Sequence, residues 1–215
     1  MNTDSPVRTP TTGPDSTAVP ARQVRAVYTE STVTVYQAYN PKLGEYAATH
    51  GRFPDTYNRD RMTWIKPSFL WMMYRSGWAG KQRQERVLAI EISRDGLEWA
   101  LAHAALSHHD PDVHADRDEW ARSLRRPVRV QWDPERSLTL RPLPYRSLQV
   151  GLSGEAVHRY VDDWVVAISD VTGLAHRIHA LVRAGDPDSH AEAQRALPAE
   201  RPYPLPASIA TALGA

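Results

Sequence analysis

The stretch RMTWIKPSFLWMMYRSGW, Arg61–Trp78, holds three of the chain's seven tryptophans and three of its four methionines, beside one lysine and two arginines. Its first six residues alternate. Arg61, Thr63 and Ile65 share one face of a short strand, and Met62, Trp64 and Lys66 share the other. From Pro67 the pattern changes to a helix that Pro67 can open and Gly77 can close. That helix is apolar on nearly all sides from Phe69 to Met73, which predicts burial on most of its surface. Met and Trp suit such a core element as adaptable and bulky fillers. The strand before it reads differently. Trp64 can stack on a base or nicotinamide ring and Lys66 can neutralise a phosphate. The alternative for this pair is a tryptophan covered by a lysine stem.

Outward from this stretch the chain mixes strands and helices. QVRAVYTESTVTVYQAY is β-rich, with strands expected near 24–28 and 32–38. A helix follows with Asn40 as N-cap, Pro41 at its first position and Gly51 as its stop. RVLAIEIS is a strand, and RDGLEWALAHAAL a helix capped by Asp95. Asp116 with Glu119 forms a capping-box pattern. VRVQWDPERSLTLRPL alternates, and DPER predicts a hairpin turn. RSLQVGL is a further strand. GEAVHRYVDDWVVAI places Val157, Tyr160, Val161, Trp164, Val165 and Ile168 on one helical face. DVTGLAHRIHALVRAG reads as another helix behind Asp170. LPAERPYPLP is extended and locked by proline. This order lacks regular βαβ alternation. It predicts an α+β fold: one domain over residues 22–215 around one mixed or antiparallel β-sheet with flanking helices.

Composition narrows the function classes. Lys and Arg total 26 against 25 Asp and Glu, a net charge of +1, so global charge argues for neither nucleic acid nor membrane. There is no cysteine, which excludes disulfides, thiolate catalysis and cysteine-ligated metals. No apolar run approaches the roughly 20 residues of a membrane helix. Residues 1–21, rich in Pro, Thr and Ser and without an apolar h-region, read as a disordered tail. A cytoplasmic protein is the expectation.

Several constellations carry chemistry. VYQAY ends a strand where a helix begins at Asn40, a natural anion site, with Tyr36, Gln37 and Tyr39 supplying hydroxyl and amide groups. Arg146 and Gln149 enter a strand before GLSGEAV, a turn that can approach phosphate but is no complete phosphate loop. His103, His108, His109, Asp110, Asp112 and His114 are metal-ligand types in a polar loop without a recognised ligand spacing, so no metal is expected. The arginines at 122, 125, 126, 129, 136, 141 and 146 cluster in sequence; either Arg125 and Arg126 form a phosphate-contacting patch or the cluster pairs with Asp116, Asp118, Glu119 and Glu135.

QVRAVYTESTVTVYQAY, RMTWIKPSFLWMMYRSGW, VRVQWDPER and YRSLQVGLSGEAV resemble the family called domain of unknown function 4291, over about residues 22–214. The order of elements is also similar to an ADP-ribosyltransferase catalytic core, which binds NAD in the cleft of a split, mixed sheet. That similarity departs at Thr63 or Trp64, where Ser or Tyr is usual, and at Gln149, where Glu is commoner. It implies NAD as cofactor and cleavage of the nicotinamide–ribose bond through an oxocarbenium-like transition state. Arg25 or Arg61 with Lys66 and Arg146 would hold the pyrophosphate, with Gln37 and Thr63 in the same binding site. Tyr36 and Trp64 would flank the nicotinamide. Gln149 would orient the ribose and Glu155 take a proton. The acceptor would be a nucleic acid (RNA or DNA), a protein or water. The competing expectation is a non-catalytic nucleic-acid-binding module using Arg125, Arg126, Arg129 and Arg146, with Trp132 or Tyr145 for stacking.

Overall fold

The computed structural model describes residues 19–215. The chain runs β1 (Arg25–Ala26), β2 (Thr32–Tyr39), α1 (Pro41–His50), β3 (Thr63–Ile65), α2 (Phe69–Ser76), β4 (Arg86–Ser93), α3 (Arg94–Ala102), β5 (Ala104–Leu106), α4 (Arg117–Ser123), β6 (Val128–Arg136) and β7 (Pro142–Leu152). It continues through α5 (Glu155–Arg159), a π-helical turn (Tyr160–Trp164), β8 (Val165–Asp170), α6 (Thr172–Ala184), α7 (Pro187–Ala196), β9 (Arg201–Pro202) and α8 (Ala207–Leu213). The architecture is α+β with antiparallel and mixed sheets.

Two sheets meet at one point. β2, β4 and β8 form an antiparallel sheet in the order β2-β4-β8, and β3-β7-β6-β5 form a second whose one parallel pair is β5 with β6. The sheets touch where Tyr36 pairs with Lys66: the Tyr36 N–H donates to the Lys66 carbonyl at 2.7 Å and the Lys66 N–H to the Tyr36 carbonyl at 3.3 Å. Beyond that pair β2 and β3 diverge. The strands thus form two sheets joined at one backbone pair, where the order of elements predicts one. A separate two-stranded ribbon of β1 and β9 ties the C-terminal segment to the N-terminal one.

The local signals placed most helices correctly. Asn40 accepts a hydrogen bond from the Leu43 N–H, Pro41 stands at the first position of α1, and Gly51 ends it with φ 64°. Ser68, not Pro67, caps α2 by accepting from the Trp71 N–H, and Gly77 closes it with φ 61°. Ser93 rather than Asp95 caps α3. Asp116 caps α4, and the Glu119 carboxylate reaches back to the Ala115 N–H.

Three expectations fail. DPER is not a turn: β6 runs through it to Arg136 with a bulge between Pro134 and Arg136, and the chain reverses at Ser137–Arg141, where Leu140 takes φ 61°. Proline is tolerated there because the bulge relieves its missing N–H. The long helix expected from Val157 to Ile168 stops early. Its last third is β8, which pairs with β4; a bulge at Val166 breaks the register there and leaves that side chain 59% exposed while Ile168 is buried. Ala104–Leu106, read as part of a helix and loop, is β5, fully buried beside β6. The expected 1–21 tail falls mostly outside the described residues. Ala21, at its end, already accepts a bond from the Arg146 N–H.

One large apolar cluster joins the inner faces of both sheets with α3, the π-turn and α8; a second packs α2 and α6 around Tyr36, Phe69 and Met73. Trp164, 5% exposed, fills the place a side chain at Gly96 would occupy: a Cβ there would lie 2.4 Å from the indole Cγ. Gly96→Ala should therefore cost about 1–3 kcal/mol, although alanine favours a helix. Trp164→Ala should cost about 3–5 kcal/mol. In denaturant melts the double variant should lose less than the two single losses added, because each change relieves the other's defect.

Candidate functional site

The divergence of β2 from β3 opens a cleft of 570 Å³. Its walls are the end of β2, the N-terminus of α1, the 57–62 loop, β3, the outer turn of α2 and the loop at 82–84. Four cationic side chains line it, Arg61, Lys66, Arg75 and Arg83, and no carboxylate does. Elsewhere Arg22, Arg52, Arg59, Arg86, Arg94, Arg159 and Arg177 all pair with acids. None of the four cleft cations has such a partner among the described residues.

Lys66 is the deepest of them. It is 5% exposed, and its ammonium sits over the Trp71 ring, 5.2 Å from the centroid, with no hydrogen-bond acceptor among the described residues. Burial, and secondarily the charge of Arg75, brings its pKa from 10.5 to about 7, against the opposing pull of Asp133. Beneath it the buried Trp71 Nε1 also lacks an acceptor.

Gln37 holds the split. Where β2 leaves β3, its side chain replaces the missing ladder: Nε2 donates to the Trp64 carbonyl at 3.1 Å and to Thr63 Oγ1 at 2.7 Å, while Oε1 accepts from the Tyr160 hydroxyl at 2.6 Å. From Thr63 Oγ1 the network passes to the Tyr57 hydroxyl at 2.9 Å and on to Tyr39 at 3.0 Å. Burial pushes the Tyr39 and Tyr160 phenols well above 10, so both stay protonated. Trp64 lies across Gly151, where a Cβ would come within 3.0 Å of the indole. The glycine of GLSG thus makes room for an aromatic ring rather than for a phosphate.

Five residues expected in the binding site converge here: Gln37, Arg61, Thr63, Trp64 and Lys66. The others do not line the cleft. Tyr36 is 2% exposed and packs edge-on against Phe69 at 5.4 Å, because its strand position points into the second core. Arg25 bonds Gln23 and the Glu200 carbonyl, and Arg146 bonds the Trp132 carbonyl. Glu155 is exposed and paired with Arg159 at 2.7 Å. Gln149 shares a sheet face with Trp64 and Lys66, since Trp64 pairs with Gly151, but its amide donates to Asp133 at 2.6 Å. Gln131 donates to the other oxygen of Asp133 at 2.9 Å, so two amides cradle this carboxylate.

Three of the four arginines of the competing reading donate to backbone carbonyls, Arg146 as above, while Arg125 is exposed. Arg126 donates to the Ala104 carbonyl, and Arg129 to Leu124, Arg126 and Val128. Trp132 is 8% exposed and donates to the Leu213 carbonyl, leaving no ring face for stacking. Among the described residues no group of three or more His, Asp or Glu side chains is arranged to hold a metal. No described helix is long and apolar enough to cross a membrane.

Arg75, Arg83, Tyr57 and Asn58 were not singled out from sequence. Arg83 had one local signal: it lies in GKQRQE, a polar run after a glycine. The structure gives it φ 66°, in a loop where Trp78 and Ala79 are also left-handed. Such strain in non-glycine residues concentrates at ligand sites.

The molecule is thus an α+β protein built on a split sheet with a cationic cleft at the split. The family described as domain of unknown function (DUF4291) matches residues 23–203, and the chain belongs to it. No curated protein matches the chain.

Gln37→Leu should leave the Tyr160 hydroxyl and the Trp64 carbonyl unpartnered, at about 1–3 kcal/mol each. Chemical denaturation should show that loss, and an unchanged midpoint would mean that water replaces the amide. For Lys66, the folded chain binds fewer protons than the unfolded one between about pH 7 and 10.5. Its contribution to stability therefore rises with pH across that window and is flat below it. Ligand-free Lys66→Met should accordingly gain more over the parent at pH 7 than at pH 10. Comparing both proteins at each pH cancels the opposite slope of Glu200, whose burial raises its pKa to about 8.

Proposed function

We propose that the cleft binds a nucleotide through its phosphates, NAD or ADP-ribose in particular, and that the protein is an ADP-ribosyltransferase-like enzyme. The observation that carries the binding reading is Lys66: a residue only 5% exposed whose amine lines the cleft without a salt bridge, beside three arginines unpaired among the described residues and no carboxylate. Its ammonium, Arg61 and Arg75 neutralise the pyrophosphate, and the N-terminus of α1 adds its dipole. Trp64 offers a ring face at the cleft wall for a base or nicotinamide.

Support for the transfer step is organisational: a split, mixed sheet with its cleft at the split. Asp133, cradled by Gln131 and Gln149 on the Lys66 face, is a carboxylate suited to steadying an oxocarbenium-like ribose. Neither Glu155 nor Asp133 is among the cleft-lining residues, but Asp133 lies on the Lys66 sheet face and acts on its charge. The acceptor would be a nucleic acid or a protein.

Calorimetric titration with ADP-ribose, NAD and inorganic pyrophosphate tests the binding reading. Lys66→Ala should weaken binding at least tenfold, about 1.4 kcal/mol, while Arg25→Ala and Arg146→Ala bind like the parent. An anion favours protonated Lys66, so affinity should fall from pH 6.5 to 8.5, with proton uptake on binding near neutral pH. If the parent binds none of the three ligands, the reading is wrong. Release of nicotinamide from NAD, lost in Asp133→Asn, is the corresponding test of transfer.

A further inference from the structure

The cleft holds more than a binding charge. The chain has three lysines among its 26 basic residues. Lys42 is exposed on α1, and Lys81 is exposed and donates to the Arg75 carbonyl at 2.8 Å. Lys66 alone of the three is enclosed, pressed on an indole and facing the cleft. Arginine would serve a phosphate as well there and would stay charged. What lysine adds is an amine that can lose its proton and attack carbon. The groups facing it are Arg75 from α2, Asp133 from β6 and the Trp71 ring, with Arg61 and Arg83 across the cleft.

We propose that Lys66 forms an imine with the aldehyde carbon of a phosphorylated aldose held in the cleft. This inference rests on the phosphate-binding reading above. The amine adds to the C=O to give a carbinolamine, which loses water to leave C=N. One water is released, and no oxidant or reductant is required. The arginines hold the phosphate, which brings the open-chain aldehyde to the amine and raises its effective concentration. ADP-ribose and ribose 5-phosphate share this chemistry, each carrying a phosphate and a masked aldehyde. Burial beside Arg75 keeps a large share of the amine neutral near pH 7, where exposed lysines are almost wholly protonated.

The probe is pyridoxal 5′-phosphate, with borohydride to trap the imine and peptide mapping to locate it on the full chain. Lys66 should carry at least ten times the label of Lys42 or Lys81 at pH 7. Pyridoxal without the phosphate should lose that preference. Parallel arms with ADP-ribose and ribose 5-phosphate, trapped by cyanoborohydride, identify which aldose is favoured. Lys66→Arg should give no cleft adduct while Lys42 and Lys81 keep their label and the protein still melts cooperatively, which separates loss of the amine from loss of the fold. Label spread equally over the three lysines, with pyrophosphate still bound, overturns the imine and leaves the phosphate site standing. Absence of both pyrophosphate binding and selective label overturns the two together.

Discussion

A single amide governs the geometry of this protein. Two sheets share one backbone pair at Tyr36 and Lys66 and then separate. Separation strands the Trp64 carbonyl, which in a continuous sheet would take a bond from β2. Gln37 supplies that bond from its side chain and anchors its other end on Tyr160. An apolar residue would make the split expensive in unpaired backbone, and a shorter polar one has less reach. The width of the cleft, the direction of Trp64 and the hydroxyl network through Thr63, Tyr57 and Tyr39 all follow from that brace.

Against this scaffold the electrostatics are asymmetric. Seven of the described arginines reach a carboxylate, and Arg126, Arg129, Arg136 and Arg146 donate to carbonyls. The cleft cations have neither. Keeping Lys66 charged in its buried position costs on the order of 5 kcal/mol relative to water, taken from the drop in its pKa. Such a cost persists where the charge or the amine has a use. α2 bears on this twice. Its Phe69, Met72 and Met73 lock it into the second core, and its Trp71 and Arg75 shape the surroundings of Lys66. A side chain on a strand braced by a buried helix is held more precisely than one on a loop.

The N-terminus of α2 meets two carboxyl groups. Glu200, from the proline-locked segment, accepts from the Phe69 N–H at 2.7 Å, and the Ser68 cap donates to Glu135 at 2.9 Å. Carboxylates are favoured at a helix N-terminus. Desolvation is nevertheless the largest influence on each, raising both pKa values, Glu200 to about 8. The segment that ends the match to the family is thus fastened to the helix that underlies the cleft.

Local chemistry by itself determined much of this. Caps at Asn40 and Asp116, glycine stops at Gly51 and Gly77, and period-two alternation in β2, β4 and β6 are read within a few residues, and the structure bears them out. The faces of the run from Arg61 to Lys66 were legible for the same reason, because alternation assigns faces without knowledge of the partner. Only tertiary structure decided the rest. VVAI suits a helix or a strand equally, and β8 exists because β4 offers it an edge. DPER resembles a turn until β7 pairs through it. Tyr36 and Gln37 are adjacent and equally polar in sequence, yet one enters the core and the other braces the split. Arg75 and Arg83 join the cleft, while Arg25, Arg146 and Glu155 do not, because convergence of side chains from distant strands depends on how the two sheets diverge, and no local pattern encodes that angle.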